Sequence, residues 1–155
     1  IGACSLGAAW SALDKARAYA AERTAFGRPI GEFQAIDFKI ADMATSLEAS
    51  RLMIYRAADA LDRADPQATM YAAMAKRFAT DACSAVANDA LQVHGGYGFD
   101  RDYDVVTLVH GGYGYLKDYG LEKIVRDLRV HQILEGTNEI MRLVVGRRLA
   151  AGNRS

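Results

Sequence analysis

The stretch DPQATMYAAMAKRFATDACSAVANDALQV, residues 65–93, decides the fold class. Its apolar side chains recur at α-helical spacing, and one face carries Met74, Phe78, Ala82, Val86, Ala90 and Val93. Asp65 and Pro66 supply a helix start, because Asp accepts hydrogen bonds from free amides at a cap and Pro costs nothing at the first helical position. We therefore predict a long amphipathic helix that begins at this pair.

The same spacing continues on both sides of this stretch. It predicts a helix over about residues 1–23, a second over about 33–64, a short one over 121–129 and a last one capped by Thr137. The predicted core positions of the first two are Leu13, Ala16 and Ala20, then Ile36, Ile40, Met43, Leu47, Ile54, Ala58 and Leu61. Long antiparallel helices with short connections indicate an all-α protein, an up-and-down four-helix bundle.

Composition favours one globular domain over residues 1–155. Of the 155 residues 51% are hydrophobic and 25% are charged, and 19 basic side chains balance 19 acidic ones. A net charge of zero argues against nucleic acid and anionic membrane surfaces as partners, and no apolar run is long enough for a membrane span. Ile1 begins in the middle of a helical pattern, as a truncated start would.

The cysteines and histidines suggest neither a disulfide nor a metal site. Cys4 and Cys83 lie in predicted alanine-rich helices, where a thiol usually acts as a small buried apolar group, as suits a reducing compartment. His94, His110 and His131 lack the spacing of metal ligands. We predict no bound metal.

The segment VHQILEGTNEIMR, residues 130–142, is the strongest candidate for chemistry. Glu135 follows two apolar residues, so a partly desolvated carboxylate with a raised pKa could serve as a general base. Gly136 allows a ligand to approach the backbone, and Thr137 could cap the next helix or bind a ligand. An equally good reading is that Glu135 lies near a helix N-terminus only because the helix dipole favours an acid there.

A second candidate is TAFGRPIGE, residues 24–32, whose glycines and proline break the helical pattern. Arg23, Phe26 and Arg28 could grip a phosphorylated cofactor with a stacked aromatic ring. Composition alone favours a solvated turn over this reading.

Four segments together resemble the C-terminal helical domain of the acyl-CoA dehydrogenases. They are ERTAFGRPIGEFQ at 22–34, ALQVHGG at 90–96, HGGYGYLKDY at 110–119 and ILEGTNEIMR at 133–142. The resemblance implies an FAD-dependent enzyme that desaturates an acyl-CoA between its α and β carbons. It also implies a homo-oligomer, a dimer or tetramer, that passes electrons to an electron-transferring flavoprotein. Four segments look most like those of a family member that acts on a short branched acyl-CoA: IGACSLGAA, ADMAT, AKRFATDAC and VHQILEGTNEIMR.

The resemblance also implies roles for individual residues. Glu135 matches the base that removes the α-proton, while the β-hydrogen leaves as hydride to the flavin. The substrate positions are Gly136 and, near the nucleotide end of CoA, Arg147. Cofactor-binding roles fall on Arg23, Phe26, Gln92, Gly95, Gly96, Gly111, Gly112, Thr137 and Glu139. Glu139 stands where some relatives have Gln.

One feature departs from the family, since VHGGYG begins at Val93 and again at Val109, 16 residues later. Removing residues 93–108 restores ALQVHGGYGYLKDYGLEK, so the simplest account is a tandem insertion around 93–108. This region is glycine-rich and reads as a loop.

The alternative function is a helical oligomerisation module of the same ancestry that cannot catalyse. The expected location is the cytoplasm in a bacterium and the mitochondrial matrix in a eukaryote.

Overall fold

The computed structural model describes residues 1–95 and 120–152. Five α-helices make up most of this part: α1 (Gly2–Glu22), α2 (Gln34–Asp62), α3 (Ala68–Val93), α4 (Leu121–His131) and α5 (Asn138–Gly152). Between α1 and α2 lie two paired two-residue strands, β1 (Thr24–Ala25) and β2 (Arg28–Pro29), and a 3-10 turn at Ile30–Glu32. The all-α prediction is confirmed. The second copy of the repeated phrase and residues 96, 111 and 112 lie outside the described residues.

Helix α3 is the centre of the bundle, because it packs against each of α1, α2, α4 and α5. Its buried residues surround much of the helix instead of forming one stripe. Met74, Phe78 and Ala82, which we predict on the core face, are half-buried, while Ala75, Ala79, Thr80 and Cys83 are the deeply buried residues. A helix contacted from several sides has no single apolar face, so that part of the predicted core is wrong.

Small side chains line the core side of α1. The buried residues are Ser5, Ala9, Ala12, Leu13, Ala16 and Ala20, and α1 packs them against α3, where alanines also dominate the buried set. Alanine contributes little apolar area of its own, yet it lets two backbones approach closely and costs no side-chain entropy. The predicted core positions Leu13, Ala16 and Ala20 are confirmed.

The far end of α2 departs from the predicted stripe. Ala58 and Leu61 are exposed, while Ala57 and Ala60 are buried. Each four-residue step along a helix rotates the side chain by about 40°. A stripe extended by such a step from Ile54 to Ala58 therefore turns away from α3, and the core continues through Ala57.

Two further predictions are corrected. Asp65 Oδ1 accepts a hydrogen bond from the Gln67 amide at 2.7 Å, but α3 begins only at Ala68, so Asp65 shapes the preceding turn and does not cap the helix. Cys4 is exposed, because it falls on the outer side of α1, whereas Cys83 is buried as predicted. Burial raises the pKa of the Cys83 thiol to about 12.

Among the described residues, no helix combines the length and apolarity that crossing a membrane requires.

The small-residue core predicts a sharp asymmetry between the two sides of α1. Ala16→Leu adds volume to a fully buried position and should lower the free energy of unfolding by about 1–3 kcal/mol. Ala18→Leu makes the same change on the exposed side of the same helix and should stay within about 0.5 kcal/mol of the parent. Urea unfolding followed by circular dichroism measures both, and equal effects would contradict this packing.

Candidate functional site

Glu135 lies at a sharp corner between α4 and α5. Its φ is 53° and that of Gly136 is 92°, so two consecutive residues have left-handed backbone. This conformation costs a non-glycine residue about 1–3 kcal/mol unless its surroundings impose it. At Gly136 a β-carbon would also meet Met141 Cε at 2.7 Å. The left-handed φ favours glycine here, whereas the contact alone does not, because the flexible end of the Met141 side chain can move away.

The carboxylate of Glu135 is not desolvated by this chain. Its side chain is 71% exposed, and the Ile1 amino nitrogen lies 3.7 Å from Oε2. Ile133 and Leu134, the apolar residues that we expected to cover it, are themselves about half exposed. That expectation is wrong, because the two side chains project outward with the corner and leave the carboxylate open.

Thr137 and Glu139 lie at the start of α5, beside this corner. Thr137 Oγ1 accepts from the Ile140 amide at a long 3.4 Å, which makes it a weak cap. Glu139 Oε1 accepts from Arg142 Nη1 at 3.0 Å. The pKa of Glu139 is lowered by its own backbone amide and by the Thr137 hydroxyl, which donate to its carboxylate.

A shallow cavity of about 190 Å³ opens next to these two residues. Its lining is mostly polar and comes from Asp81, Arg129, Gln132, Ile133, Thr137, Asn138, Glu139 and Arg142. Arg147 lies further along α5 on an exposed position.

The segment 24–32 forms a tight hairpin with an aromatic tip. Phe26 is 97% exposed, and its left-handed φ of 51° is followed by Gly27 at 82°. Arg28 stacks its guanidinium 4.2 Å from the centre of the Phe33 ring, and Phe26 meets that ring edge-on at 6.1 Å. A rigid turn that presents an open aromatic face beside arginines suits a ligand with a flat ring and phosphates.

Gln92 and Gly95 lie at the C-terminal end of α3. Gln92 is exposed, and Gly95 has a φ of 66°. Next to them His94 stacks on Tyr19, with ring centres 4.3 Å apart. This contact joins the end of α3 to the end of α1, and so places Gln92 and Gly95 at the same end of the bundle as the Phe26 hairpin.

The sequence-predicted site residues thus fall into two groups in two places. Glu135 approaches Ile1, which precedes α1, whereas Arg23 follows the last residue of α1. A helix of 21 residues is about 30 Å long. Glu135 and the Phe26 hairpin therefore cannot contact one small ligand within a single chain.

Sequence reasoning missed three residues that hold the Glu135 corner. Lys76, Asp81 and Asn138 join α3 to the corner through hydrogen bonds. The sequence signal that could have revealed them is Lys76 itself. A lysine in an alanine-rich helix that packs against several other helices is partly buried, and its charge then needs hydrogen-bond partners. Residues 1–95 and 120–152 contain no group of three or more His, Cys, Asp or Glu side chains able to hold a metal ion.

Comparison with known proteins identifies the domain. The family model for the acyl-CoA dehydrogenase C-terminal domain matches residues 1–109 and 104–150. Isobutyryl-CoA dehydrogenase of Dictyostelium discoideum is 51% identical over 97% of the chain, which spans 32% of that relative. A chain from the structure of the electron transferring flavoprotein of Acidaminococcus fermentans is 42% identical with a TM-score of 0.82, and covers 96% of the chain.

Butyryl-CoA dehydrogenase of Megasphaera elsdenii is 36% identical with a TM-score of 0.80, again over 96% of the chain. The chain spans about a third of each of these proteins, 34% in both solved structures. Sequence, fold and family model agree, and the chain belongs to the acyl-CoA dehydrogenase family as its C-terminal domain.

Proposed function

We propose that this chain is the C-terminal part of an FAD-dependent acyl-CoA dehydrogenase, in which Glu135 removes the α-proton of a short, branched acyl-CoA. The observation that carries the proposal is the corner itself. A carboxylate stands open to a ligand on a left-handed turn, directly beside the glycine that allows close approach. The domain covers residues 1–155, with residues 93–108 as a tandem insertion.

Removal of the α-proton has two requirements, because an α-proton beside a thioester is a weak acid. The carboxylate of the base has to be desolvated, and the thioester carbonyl of the substrate has to be polarised. The carboxylate is open in the chain alone, so the bound substrate has to supply the cover. Ile133 and Leu134 flank it with exposed apolar surface that an acyl chain would contact. Closing this surface would remove water and raise the pKa of the base.

The residues present suit FAD as the cofactor, and members of the family use it. When bound, FAD supplies the acceptor for the β-hydrogen. Its ring and phosphate partners would be the exposed Phe26 face and Arg23 at the hairpin, with Gln92 and Gly95 at the same end of the bundle. Thr137 and Glu139 are the candidates at the other end. Residues 96, 111 and 112 belong to the same proposal but lie outside the described residues.

The separation of the two groups supports a homo-oligomeric enzyme. If each group faces a different FAD, a complete site takes one group from each of two chains. The exposed polar side chain of Gln92, next to Gly95, is available to such a neighbour. We propose a dimer or a tetramer on this basis.

The proposed substrate class is based on a similar relative. Isobutyryl-CoA dehydrogenase of Dictyostelium discoideum, at 51% identity, supports a short branched acyl group. Gly136 would contact the thioester end, and Arg147, exposed on α5, would meet the nucleotide end of CoA. An electron-transferring flavoprotein is the proposed acceptor of the electrons. The mitochondrial matrix or the bacterial cytoplasm is the proposed location.

A second candidate function is a helical oligomerisation module without catalysis. It is favoured by the large apolar side chains that α2 leaves more than half exposed: Phe38, Leu52, Tyr55 and Leu61. Such a surface is typical of an interface. The two candidates differ in whether Glu135 is needed for turnover.

Replacing the proposed base tests the first candidate. Glu135→Gln, in a complete subunit carrying this domain, should lower turnover by about 10²–10⁴-fold, because an amide cannot accept the α-proton. FAD content, measured by flavin absorbance, should be unchanged. Glu48→Gln, which alters an exposed ion pair with Arg51 on α2, is the matched control and should keep near-normal turnover. Normal turnover of Glu135→Gln would refute the assignment.

Deleting residues 93–108 tests the insertion. Val93 and His94 are buried at the end of α3, and the deletion replaces them with the identical residues Val109 and His110. We expect unchanged helical content, cooperative unfolding and, in a flavin fluorescence titration, FAD binding at least as tight as that of the parent. Loss of cooperative unfolding or weaker FAD binding would show that residues 93–108 are an integral part of the domain.

A further inference from the structure

The side chain of Lys76, on α3, reaches the corner that carries Glu135. Its ammonium donates to the Gly136 carbonyl at 2.7 Å, to Asn138 Oδ1 at 2.8 Å and to the Gln132 carbonyl at 3.3 Å. A lysine has three protons to donate, and these three acceptors use all of them. Two of the acceptors are backbone oxygens on opposite sides of Glu135. One cation therefore binds the chain before and after the proposed base.

Asn138 closes the same network from the other direction. It is the first residue of α5 and only 3% exposed. Its Nδ2 donates to Asp81 Oδ1 at 2.7 Å and to Thr80 Oγ1 at 2.9 Å, and its backbone amide donates to the Gln132 carbonyl at 3.0 Å. Gln132 Nε2 also donates to Asp81 Oδ1, at 2.8 Å. Both ends of the corner are thus tied to the turn of α3 between Lys76 and Asp81.

This hydrogen-bond network holds Glu135 and Gly136 in their strained backbone conformation. Their left-handed backbone needs surroundings that impose it. Hydrogen bonds from a charged donor are stronger than neutral ones, and Lys76 donates them to the carbonyl of Gly136, within the strained pair, and to that of Gln132, three residues before Glu135. Burial lowers the pKa of Lys76, while the charges of Asp81, Glu135 and Glu139 oppose that shift.

We propose that Lys76 is a positioning residue which, together with Asn138 and Asp81, fixes the backbone on both sides of Glu135 and so aims its carboxylate. This inference rests on the proposed function of Glu135 as the base. Lys76 itself takes no proton from the substrate.

The first test needs no activity. Lys76→Met removes the donors and keeps the length of the side chain. In this chain, the hydrogen-bonded backbone amides of Ile133, Leu134 and Asn138 should exchange with deuterium about 10- to 100-fold faster, as loss of charge-assisted bonds at a strained turn implies. Lys39→Met removes another lysine that bridges two helices, through Asp89, and is the matched control. It should leave these amides unchanged. Unchanged exchange in Lys76→Met would overturn the proposal.

Two further variants guard against a general loss of folding. Lys76→Gln removes the charge but keeps two donors and should also loosen residues 133–138. Lys76→Arg keeps the charge and should restore part of the protection. Equal protection in the Gln and Arg variants would overturn the role of the ammonium charge, whether or not Lys76→Met folds.

The second test separates this proposal from that of the base. In a complete subunit carrying this domain, Lys76→Met should lower kcat by about 10- to 100-fold, since small misplacement of a catalytic group has effects of that size. KM for the acyl-CoA should change by less than about threefold, and Lys39→Met should resemble the parent. If Glu135→Gln abolishes turnover while Lys76→Met does not, Glu135 remains the base and the positioning role fails. If Glu135→Gln is active, the proposed function fails, whatever the exchange data show.

Discussion

A single ammonium group connects the centre of the bundle to the strained corner that carries Glu135. Lys76 extends from α3, the helix on which the other four pack, and its three hydrogen bonds end on the residues around Glu135. The corner needs such a contact, because Glu135 and Gly136 are both left-handed and the Glu135 carboxylate is open to solvent. Its direction is therefore set by α3 and not by its immediate neighbours in sequence.

The packing of α3 explains how this helix can set the direction of the Glu135 carboxylate. Alanines dominate its buried faces and those of α1, so the two backbones can pack closely, and most of the large buried side chains come from α2 and α4: Met43, Leu47, Leu121 and Leu128. Close packing of rigid helices fixes where Lys76 and Asp81 stand relative to α5. The polar network then adds specificity, since each of its buried groups is satisfied only when the corner adopts one conformation.

Much of the fold could be predicted from the sequence, because helical periodicity and glycine breaks are local signals. The bounds of α1, α2 and α4 follow from them within a few residues. The face that α2 buries beyond Ile54 could not be predicted from the sequence, because it depends on how this long helix is rotated against α3. The prediction for Cys4 failed because an alanine-rich sequence does not show which of its small residues face the core.

The candidate site could be predicted only in part. The motif around Glu135 and the hairpin around Phe26 are continuous in sequence, so their residues could be named. Burial of the Glu135 carboxylate could not be judged, because Ile133 and Leu134 turn outward with the corner. The hydrogen bonds of Lys76 join residues that are far apart in the chain, so no local sequence pattern predicts them. Likewise, only the length of α1 shows that the two predicted groups lie about 30 Å apart.

The central claim is that Glu135 moves the α-proton of an acyl-CoA. Its most direct test follows solvent deuterium into the α carbon of the saturated thioester, by NMR, while a complete subunit carrying this domain equilibrates the substrate with its α,β-unsaturated product in D₂O. The parent should label the α carbon, and Glu135→Gln should leave it unlabelled over the same time. Labelling at the parent's rate by Glu135→Gln would contradict the account, since another group would then be the base.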